Sequence, residues 1–351
     1  MSCVLGIETT CDETACAVVA DRRIVRSNVI RTQIDLHQKY GGVVPEIAAR
    51  AHIEWLNDIV AEAMNRAAVS PEDISGIAVA NCPGLVGCLL VGVSAAKALA
   101  FAWDKPLIGV NHVHAHLYAG CLIPPADATI ASASVAASPP PLPALGLVIS
   151  GGHTSLYEIK TFSSPRRLGS TIDDAVGEAF DKVSAILQLG YPGGPLVEKL
   201  ARGGCADAVN FPLSLLGRQS LDFSFSGLKT AVLYHVNGER GTQRTSADLS
   251  AQQRADTAAA FERTVAEILE IKVRRAMETI TAKSLIVGGG VSANELIRGR
   301  LRQLADAAGI PLYLPAMEYC TDNAAMIAGL GAELLEQGCQ ADLDLSAIAT
   351  A

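Results

Sequence analysis

Short apolar runs separated by polar turns open the chain. The runs at Cys3–Glu8 and at residues 15–20 flank a polar turn at residues 9–14, and this arrangement predicts a strand, a turn and a second strand. Residues 24–30 form a candidate third strand. Across Pro45–Ala67 the apolar positions recur at helical spacing, so we expect a helix that begins at a proline, where no N–H partner is needed.

The first half continues with a buried strand at residues 76–80, an apolar helix at about residues 85–103 and a strand at residues 107–110. The last of these strands runs into a histidine-rich segment at residues 111–116. Binding sites in α/β sheets usually lie at the carboxyl ends of strands. The apolar helix carries Lys97 and several glycines, so we expect it to be buried rather than to span a membrane.

A segment of different composition divides the chain. Residues 124–143 are mostly Ala, Ser and Pro, and their prolines favour polyproline II, so we expect a mobile linker. The linker gives an N-terminal domain of residues 1–123 and a C-terminal domain of residues 144–321. A C-terminal helix at about residues 322–345 is expected to pack back on the first domain.

The opening pattern returns after the linker, with strands expected at residues 144–150 and 155–161 around a glycine turn. Further expected elements are helices at residues 174–188, 195–202 and 251–281, an irregular segment at 210–238, a strand at 284–287, a last strand at 311–314 and a helix ending near 335. Two similar halves of this kind predict an α/β protein of the actin-like ATPase (ASKHA) fold. In that fold a nucleotide lies in the cleft between the domains, but the fold alone does not determine function.

Three polar or glycine-rich turns follow strand ends, at residues 9–14, 151–154 and 288–290. Turns of this kind bind phosphate groups through backbone N–H groups, and the third also leads into a helix N-terminus. One such turn is weak evidence, whereas three in one chain favour a phosphate-containing ligand.

Composition limits the classes of function. Half of the residues are hydrophobic and 18% are charged, which is typical of a well-packed enzyme. A net charge of −8 gives no global attraction to nucleic acid, so such a partner would need local basic patches or a helper protein. The nine cysteines include no CxxC pair, which favours a protein of the reducing cytoplasm. No basic segment precedes an apolar run at the N-terminus, so we expect no signal peptide.

The segment around His112 carries the first candidate chemistry. His112 and His116 are four residues apart, so on a helix they share a face and can bind one metal ion. His114 would lie about 200° around the helix from either neighbour. The alternative is a helix start with solvated or core histidines.

The acidic turn at residues 9–14 carries the second candidate chemistry. Its threonines and acids, including Asp12 and Glu13, can bind a phosphate, hold a metal ion or accept a proton. An ordinary hairpin with capping side chains is the alternative.

Motifs across nearly the whole chain resemble those of one family, and they occur in the same order. The matching segments are residues 6–14 (GIETTCDET), 97–117 around the histidines, 150–154 (SGGHT), 173–182 (DDAVGEAFDK), 191–195 (YPGGP), 223–231 (FSFSGLKTA) and 320–326 (CTDNAAM). They are similar to the bacterial TsaD family, the tRNA N6-adenosine threonylcarbamoyltransferases. Two departures are His114-Ala115, where Glu-Gly is more usual, and the long linker at residues 124–143.

The resemblance implies a reaction and a set of site residues. The threonylcarbamoyl group of threonylcarbamoyl-AMP would pass to N6 of adenine 37 in tRNAs that read ANN codons, giving AMP and threonylcarbamoyladenosine. One divalent metal ion, Fe(II) first and Zn(II) as the alternative, would be held by His112, His116 and Asp322. The substrate-binding residues would be Val148, Ile149, Ser150, Gly151, Gly152, Asp181, Gly194, Glu198 and Asn294. Glu198 stands where many relatives have Asp.

The donor is a mixed anhydride, so no covalent nucleophile is required, and Asp12 or Glu13 is our candidate base. The resemblance also implies tRNA, a smaller paralogous actin-fold protein (TsaB-like) and a P-loop ATPase (TsaE-like) as partners. Basic pairs and clusters are candidate tRNA contacts or simply solvated faces, and they lie at residues 22–23, 166–167, 272–275 and 298–302.

Three other functions remain to be weighed. A zinc peptidase would need Glu directly after the first helical histidine, and Val113 stands there. An actin-fold kinase or ATPase would share the glycine turns but has no need of the histidine pair. A non-catalytic relative would keep the fold and lose the metal ligands, and all three ligands are present.

Overall fold

The computed structural model describes residues 2–40, 42–125, 138–217, 219–238 and 245–350. It divides into two compact units. The first comprises Met1–Pro139, Thr161–Pro165 and Tyr313–Ala351, and the second comprises Pro140–Lys160 and Arg166–Leu312. Most of the expected linker lies outside the described residues.

The described residues form ten strands, five in each of two sheets. In chain order they are β1 (Cys3–Glu8), β2 (Glu13–Ala20), β3 (Ile24–Thr32), β4 (Ile74–Cys82), β5 (Leu107–Asn111), β6 (Ala144–Ile149), β7 (Thr154–Ile159), β8 (Arg166–Ser170), β9 (Ser284–Gly288) and β10 (Leu312–Tyr313).

The same residues form ten α-helices. In chain order they are α1 (Ile34–His37), α2 (Pro45–Ala67), α3 (Val86–Trp103), α4 (His112–Ala119), α5 (Val176–Ile186), α6 (Gly193–Ala201), α7 (Ser226–Asn237), α8 (Ala251–Thr279), α9 (Glu295–Ala308) and α10 (Ala324–Glu336).

The sheet of the first unit has the order β3-β2-β1-β4-β5. The first three strands are antiparallel, and β4 and β5 continue parallel to β1. Every residue of β1 is buried, because α2 and α3 cover one face of the sheet and α10 lies against the other. Helix α3 is long and apolar enough to cross a membrane by length and composition alone. It lies against β4 and α2, and its buried residues include Cys88, Leu89, Val93 and Ala96.

Helix α10 lies directly on β1, and this contact brings the far end of the chain to the first strand. A Cβ atom added at Gly6 would lie 2.5 Å from the carbonyl oxygen of Ala324 and 2.6 Å from the amide nitrogen of Ala328. Only glycine allows so close an approach of helix and strand. The start of α10, next to Asp322, is thereby fixed near the carboxyl end of β1.

The second unit repeats the pattern, with a sheet of order β10-β9-β6-β7-β8. Strands β6, β7 and β8 are antiparallel, and β9 pairs parallel to β6. Helices α5, α6, α8 and α9 pack beside one another in this unit. At Gly289, φ is +95°, and a Cβ atom there would lie 2.5 Å from the carbonyl oxygen of Ile149, so this turn also requires glycine.

Most of the expected strands and helices are confirmed, including the helix Pro45–Ala67 with its expected bounds. Three expectations were wrong. The C-terminal helix expected at about residues 322–345 is shorter, because α10 ends at Glu336 and Gly338 follows with a φ of +76°. The segment at residues 210–238 is not irregular throughout, because Ser226–Asn237 forms α7. The strand Arg166–Ser170 was missed, since its two arginines show no apolar alternation and one edge of it has no neighbouring strand.

Candidate metal centre and substrate turns

Two histidines face the same point because of how α4 begins. The side-chain oxygen of Asn111, the last residue of β5, accepts a hydrogen bond from the backbone N–H of His114 at 3.1 Å and caps the helix. His112 therefore lies in the first turn and His116 one turn later. Their rings meet edge to face, with centroids 4.7 Å apart.

Asp322 completes the cluster from the other end of the chain. It precedes α10, whose N-cap Asn323 accepts a hydrogen bond from the N–H of Met326 at 3.0 Å. One oxygen of Asp322, Oδ1, lies 3.2 Å from Nε2 of His116 and 3.5 Å from Nε2 of His112. A ligand atom from each of the three residues lies within 4.8 Å of the other two. The structure therefore brings together the three residues expected to bind metal.

The hydrogen bonding of His116 is a test of whether a metal ion fits. Its side chain is only 1% exposed, and neither ring nitrogen makes a well-aligned hydrogen bond to a described residue, although Nε2 lies 3.2 Å from Oδ1 of Asp322. A buried polar atom without a partner costs about 1–3 kcal/mol. Coordination of a metal ion through Nε2 would remove part of that cost, so the three side chains fit a divalent cation. The Asp322 side chain is 25% exposed, so the cluster is open on that side.

Glu8 holds His112 from behind. This carboxylate is fully buried, and its Oε2 lies 2.8 Å from Nδ1 of His112 while its Oε1 accepts the N–H of Thr10 at 2.6 Å. An Nδ1–H that donates to Glu8 leaves the Nε2 lone pair directed at the cluster, as is usual for metal-binding histidines. Sequence reasoning missed Glu8. The available signal was an acid at the end of an otherwise apolar strand.

Electrostatics also favour a cation. Burial alone would lower the pKa of His112, but the carboxylates of Glu8 and Asp322 raise it well above its usual value. Burial would raise the pKa of Asp322, yet His112 and His116 hold it well below its usual range. Because a metal ion needs the lone pair on Nε2 of His112, metal and proton compete for this site.

The candidate catalytic acids are half-buried, with Asp12 on the turn between β1 and β2 and Glu13 as the first residue of β2. Burial, and then the carboxylates of Asp322 and Asp12, raise the pKa of Glu13 to about 10. Burial and the same two acids also raise the pKa of the Cys11 thiol. A divalent cation bound at Asp322 would offset this repulsion and lower the pKa of Glu13. The catalytic role of Asp12 and Glu13 stays a prediction.

His114 is separate from the cluster. It is half-buried, and burial lowers its pKa to about 4. Among the described residues, the side chains close enough to share a metal ion are those of His112, His116 and Asp322, without His114.

In the second unit, the expected acyl site is a tight turn between β6 and β7. Val148 and Ile149 are buried in β6, whereas Gly151 and Gly152 are exposed. The N–H of Ser150 donates to the carbonyl oxygen of His153 at 2.8 Å, which closes the turn. No atom lies within 4 Å of a Cβ added at either glycine. The backbone of this turn is therefore open to a ligand.

The start of α5 lies under the same turn. The N–H of Gly177 donates to the carbonyl oxygen of Ser150 at 3.1 Å. A Cβ atom at Gly177 would lie 2.7 Å from that oxygen. The positive end of the helix dipole therefore lies beside the turn, which favours an anionic ligand.

The other four expected substrate residues form two pairs. Asp181 accepts the N–H of Gly193 at 2.7 Å, which holds the start of α6, next to Gly194. Glu198 accepts the N–H of Glu295 at 3.0 Å, beside Asn294. The structure thus gives each acid a backbone partner, and their substrate contacts stay predictions.

Asn294 has a partner that the sequence did not reveal. Its Oδ1 caps α9 by accepting the N–H of Ile297 at 3.0 Å, and its Nδ2 donates to Oε1 of Glu262 at 2.6 Å. Burial raises the pKa of Glu262 to about 7. Glu262 lies on the long helix α8, where polar residues are frequent, so no sequence signal distinguished it.

In the second unit, hydrogen bonds join two of the segments that resemble the family, residues 173–182 and 223–231. Asp173 accepts hydrogen bonds from the hydroxyls of Ser224 and Ser226, at 2.6 and 2.7 Å, and from the N–H of Phe225 at 2.9 Å. The neighbouring Asp174 pairs with Lys182 and Lys229. These motifs therefore stabilise the start of α7 against the segment before α5.

Several basic residues expected as tRNA contacts have structural partners instead. Arg23 donates to the carbonyl oxygen of Cys121, and Arg298 to that of Ser292. Lys272 is fully buried, and its ammonium donates at 2.7 Å to two backbone carbonyls of the segment before α7. Burial disfavours Arg23 and Lys272 as tRNA contacts, and a contact through Arg298, which is only half-buried, stays a prediction.

Some known proteins are similar to the chain in sequence, and others are similar to it in fold. The model of the family TsaD, described as tRNA N6-adenosine threonylcarbamoyltransferase, matches residues 24–329. A protein of that name from Symbiobacterium thermophilum is 50% identical over 345 residues, which cover 98% of this chain and 95% of the relative. Another from Moorella thermoacetica is 48% identical over 324 residues, which cover 92% and 89%.

Solved structures give the fold. T. kodakarensis HypF matches with a TM-score of 0.58 at 15% identity, over 98% of this chain and 49% of that one. Component A of the Acidaminococcus fermentans (R)-2-hydroxyglutaryl-CoA dehydratase matches with a TM-score of 0.50 at 14% identity, over 94% and 98%. The expected actin-like ATPase fold is thereby confirmed. With the family model matching most of its length, the chain belongs to the tRNA N6-adenosine threonylcarbamoyltransferases, a family of transferases.

Proposed function

We propose that the chain transfers the threonylcarbamoyl group from threonylcarbamoyl-AMP to N6 of adenine 37 in tRNAs that read ANN codons. The products are N6-threonylcarbamoyladenosine (t6A) and AMP. The observation that carries the proposal is the cluster of His112, His116 and Asp322, ordered from behind by Glu8, in a chain that is 50% identical to a relative of that name.

The donor would bind through the open turn of the second unit. Gly151 and Gly152 are exposed and have no side chain to cover their backbone, and they lie beside the N-terminus of α5. This arrangement suits an anionic or strongly polarised acyl donor. We assign Asp181, Gly194 and Asn294, with the nearby Glu198, to the rest of the adenylate.

The metal ion would be held by His112, His116 and Asp322. A set of two histidines and one carboxylate with an open side suits Fe(II), with Zn(II) as the alternative. When bound, the ion supplies a Lewis acid that polarises the carbamoyl carbonyl and orients the donor.

The chain must also remove a proton from the adenine amine. The N6 nitrogen attacks the carbamoyl carbon, the bond to the phosphate oxygen breaks, and AMP leaves with that electron pair. The surplus proton of N6 passes to the carboxylate of Asp12 or Glu13. A carboxylate that accepts the proton late in the attack helps because an exocyclic amine is a poor nucleophile.

Partner proteins are part of the proposal. Along α2 and α3 the apolar side chains of Ile53, Leu90 and Phe101 are 64%, 52% and 77% exposed. Leu90 and Phe101 are eleven residues apart and so share one helix face. We assign these exposed side chains to the contact with the smaller paralogous actin-fold protein. We expect a P-loop ATPase as a further helper. We also expect the chain and its helpers to act in the cytoplasm rather than on a membrane.

Binding of tRNA should depend on those helpers. The net charge is −8, and phosphate neutralisation supplies most non-specific affinity for nucleic acid. The purified chain alone should therefore bind tRNA weakly at physiological salt, and tight binding by the isolated chain would contradict this.

The rival functions have less support. Peptidase activity lacks its base, because Val113 occupies the position that glutamate would need and is buried. A kinase or ATPase would not require the metal cluster. Bound metal in the purified protein, together with AMP release that depends on tRNA, would support transfer. AMP release at the same rate without tRNA would instead indicate an adenylate hydrolase.

A further inference from the structure

A row of buried polar side chains lies behind the acidic turn and has no part in the mechanism above. Thr14, Gln33 and His52 are completely buried, and His37 is 1% exposed. All four lie in the first unit. Thr14 is on β2, Gln33 directly precedes α1, His37 is on α1 and His52 is on α2. Buried polar groups of this kind are costly unless every one is hydrogen-bonded.

The hydrogen bonds at His52 have one consistent direction. Its Nε2 lies 3.0 Å from the carbonyl oxygen of Cys11, which can only accept, so Nε2 carries the proton. Burial lowers the pKa of His52, which favours the neutral ring. Its Nδ1 is then an acceptor, from the hydroxyl of Thr14 at 2.7 Å and the amide nitrogen of Gln33 at 3.4 Å.

His37 determines which way the amide of Gln33 points. The backbone N–H of Val44 donates to Nδ1 of His37 at 3.3 Å, so Nε2 of that ring carries its proton and donates to Oε1 of Gln33 at 3.1 Å. The NH2 group of Gln33 must therefore face His52 and the carbonyl oxygen of Ala48, 3.3 Å away. Every donor in this row meets an acceptor.

The row ends on the backbone of the acidic turn. His52 holds the carbonyl of Cys11, and the backbone N–H of Gln33 donates to the carbonyl oxygen of Asp12 at 2.9 Å. Thr14, which follows Glu13, is held by its hydroxyl. None of these bonds uses the carboxylate of Asp12 or Glu13. The row therefore fixes the backbone around the two acids and leaves their carboxylates available.

We propose that His37, Gln33 and His52 form a positioning relay that orients Asp12 and Glu13 for proton removal from the adenine amine. The inference rests on the proposed function, which assigns the base to this turn. Displacement of a reacting group by about 1 Å can lower a rate about 100-fold, so a relay that fixes two consecutive carbonyls has a measurable effect on turnover.

Two substitutions at one position test the relay. In His52→Gln the amide nitrogen reaches the place of the ring Nε2 and can still donate to Cys11. In His52→Asn the side chain ends near the place of Nδ1, so it can meet Thr14 but not Cys11. We expect kcat for t6A formation to fall about 10- to 100-fold in His52→Asn and to stay within about threefold in His52→Gln. The KM for tRNA and the metal content should be unchanged in both.

Equal kcat values in the two variants, or loss of metal from both, would overturn the relay. Ser27→Ala removes a buried hydrogen bond to Val18 elsewhere in the same sheet and controls for lost stability. If His52→Asn does not fold, Gln33→Met serves instead, because it breaks the relay and keeps the backbone bond to Asp12. A wild-type kcat in Gln33→Met would also refute the relay.

The outcomes separate this inference from the proposed function. Wild-type protein without transfer activity would refute the function. Full activity in Asp12→Asn and Glu13→Gln would refute the base assignment and the relay with it. Equal turnover in the two His52 variants, with both acids essential, would refute the relay alone.

Discussion

Replacing Glu8 by glutamine should weaken metal binding without changing the shape of the site. Both carboxylate oxygens of Glu8 are acceptors, one for Nδ1 of His112 at 2.8 Å and one for the N–H of Thr10 at 2.6 Å. Glutamine offers only one acceptor, so one of these two buried donors would face an NH2 group. An unpaired buried donor costs about 1–3 kcal/mol.

The magnitude follows from the role of the carboxylate. If the amide oxygen turns to Thr10, His112 loses its orientation and the Nε2 lone pair is no longer fixed. If it turns to His112, the ring loses a negative partner that increases its basicity. Loss of such a partner typically lowers metal affinity about 10- to 100-fold. A competition titration of Fe(II) or Zn(II) against a chelator measures this directly.

The control is Glu333→Gln, which removes the charge of an acid in the same unit that pairs with Arg22 at 3.4 Å. That variant should bind metal as the wild type does. Circular dichroism and a thermal melt establish that both variants fold. An affinity within twofold of wild type in a folded Glu8→Gln variant would refute the role given to Glu8.

Three further predictions concern the donors, the acyl turn and pH. Alanine at any one of the three metal donors should remove metal and activity, whereas His114→Ala should keep its metal and most of its activity; metal loss from His114→Ala alone would show that the ligand set is wrong. Gly152→Val should abolish transfer in a protein that still folds, because the open space accepts a side chain that then covers the backbone, and normal transfer by the folded variant would move the donor site elsewhere. The raised pKa of Glu262, about 7 against about 4.3 in an unfolded chain, means that stability falls as pH rises between these values, because the folded state holds the proton more tightly. Glu262→Gln should therefore flatten the dependence of Tm on pH between about pH 4 and 7 and raise Tm at pH 8, while an unchanged slope would contradict that pKa.

Periodicity and turn residues predicted much of the fold. The helix Pro45–Ala67 has a proline start and regular apolar spacing, and it was predicted with its bounds. Strand Arg166–Ser170 was not, because what makes it a strand is its pairing with β7 rather than its own residues.

The site was predictable to a different extent for each residue. The spacing of His112 and His116 shows a shared helix face, since that relation is local. Asp322 is more than two hundred residues away, so no spacing connects it to the pair, and only the family resemblance assigned it. Glu8 was missed for a related reason, because its partner His112 is 104 residues further along the chain.

The most direct test is to measure t6A in tRNA after incubation of the purified chain with threonylcarbamoyl-AMP, unmodified tRNA and the helper proteins. Mass spectrometry of the digested nucleosides should find t6A at position 37, formed in step with AMP. Asp322→Ala should give neither product above background. Absence of t6A with folded, metal-loaded wild-type protein, or undiminished t6A from Asp322→Ala, would contradict the proposed function.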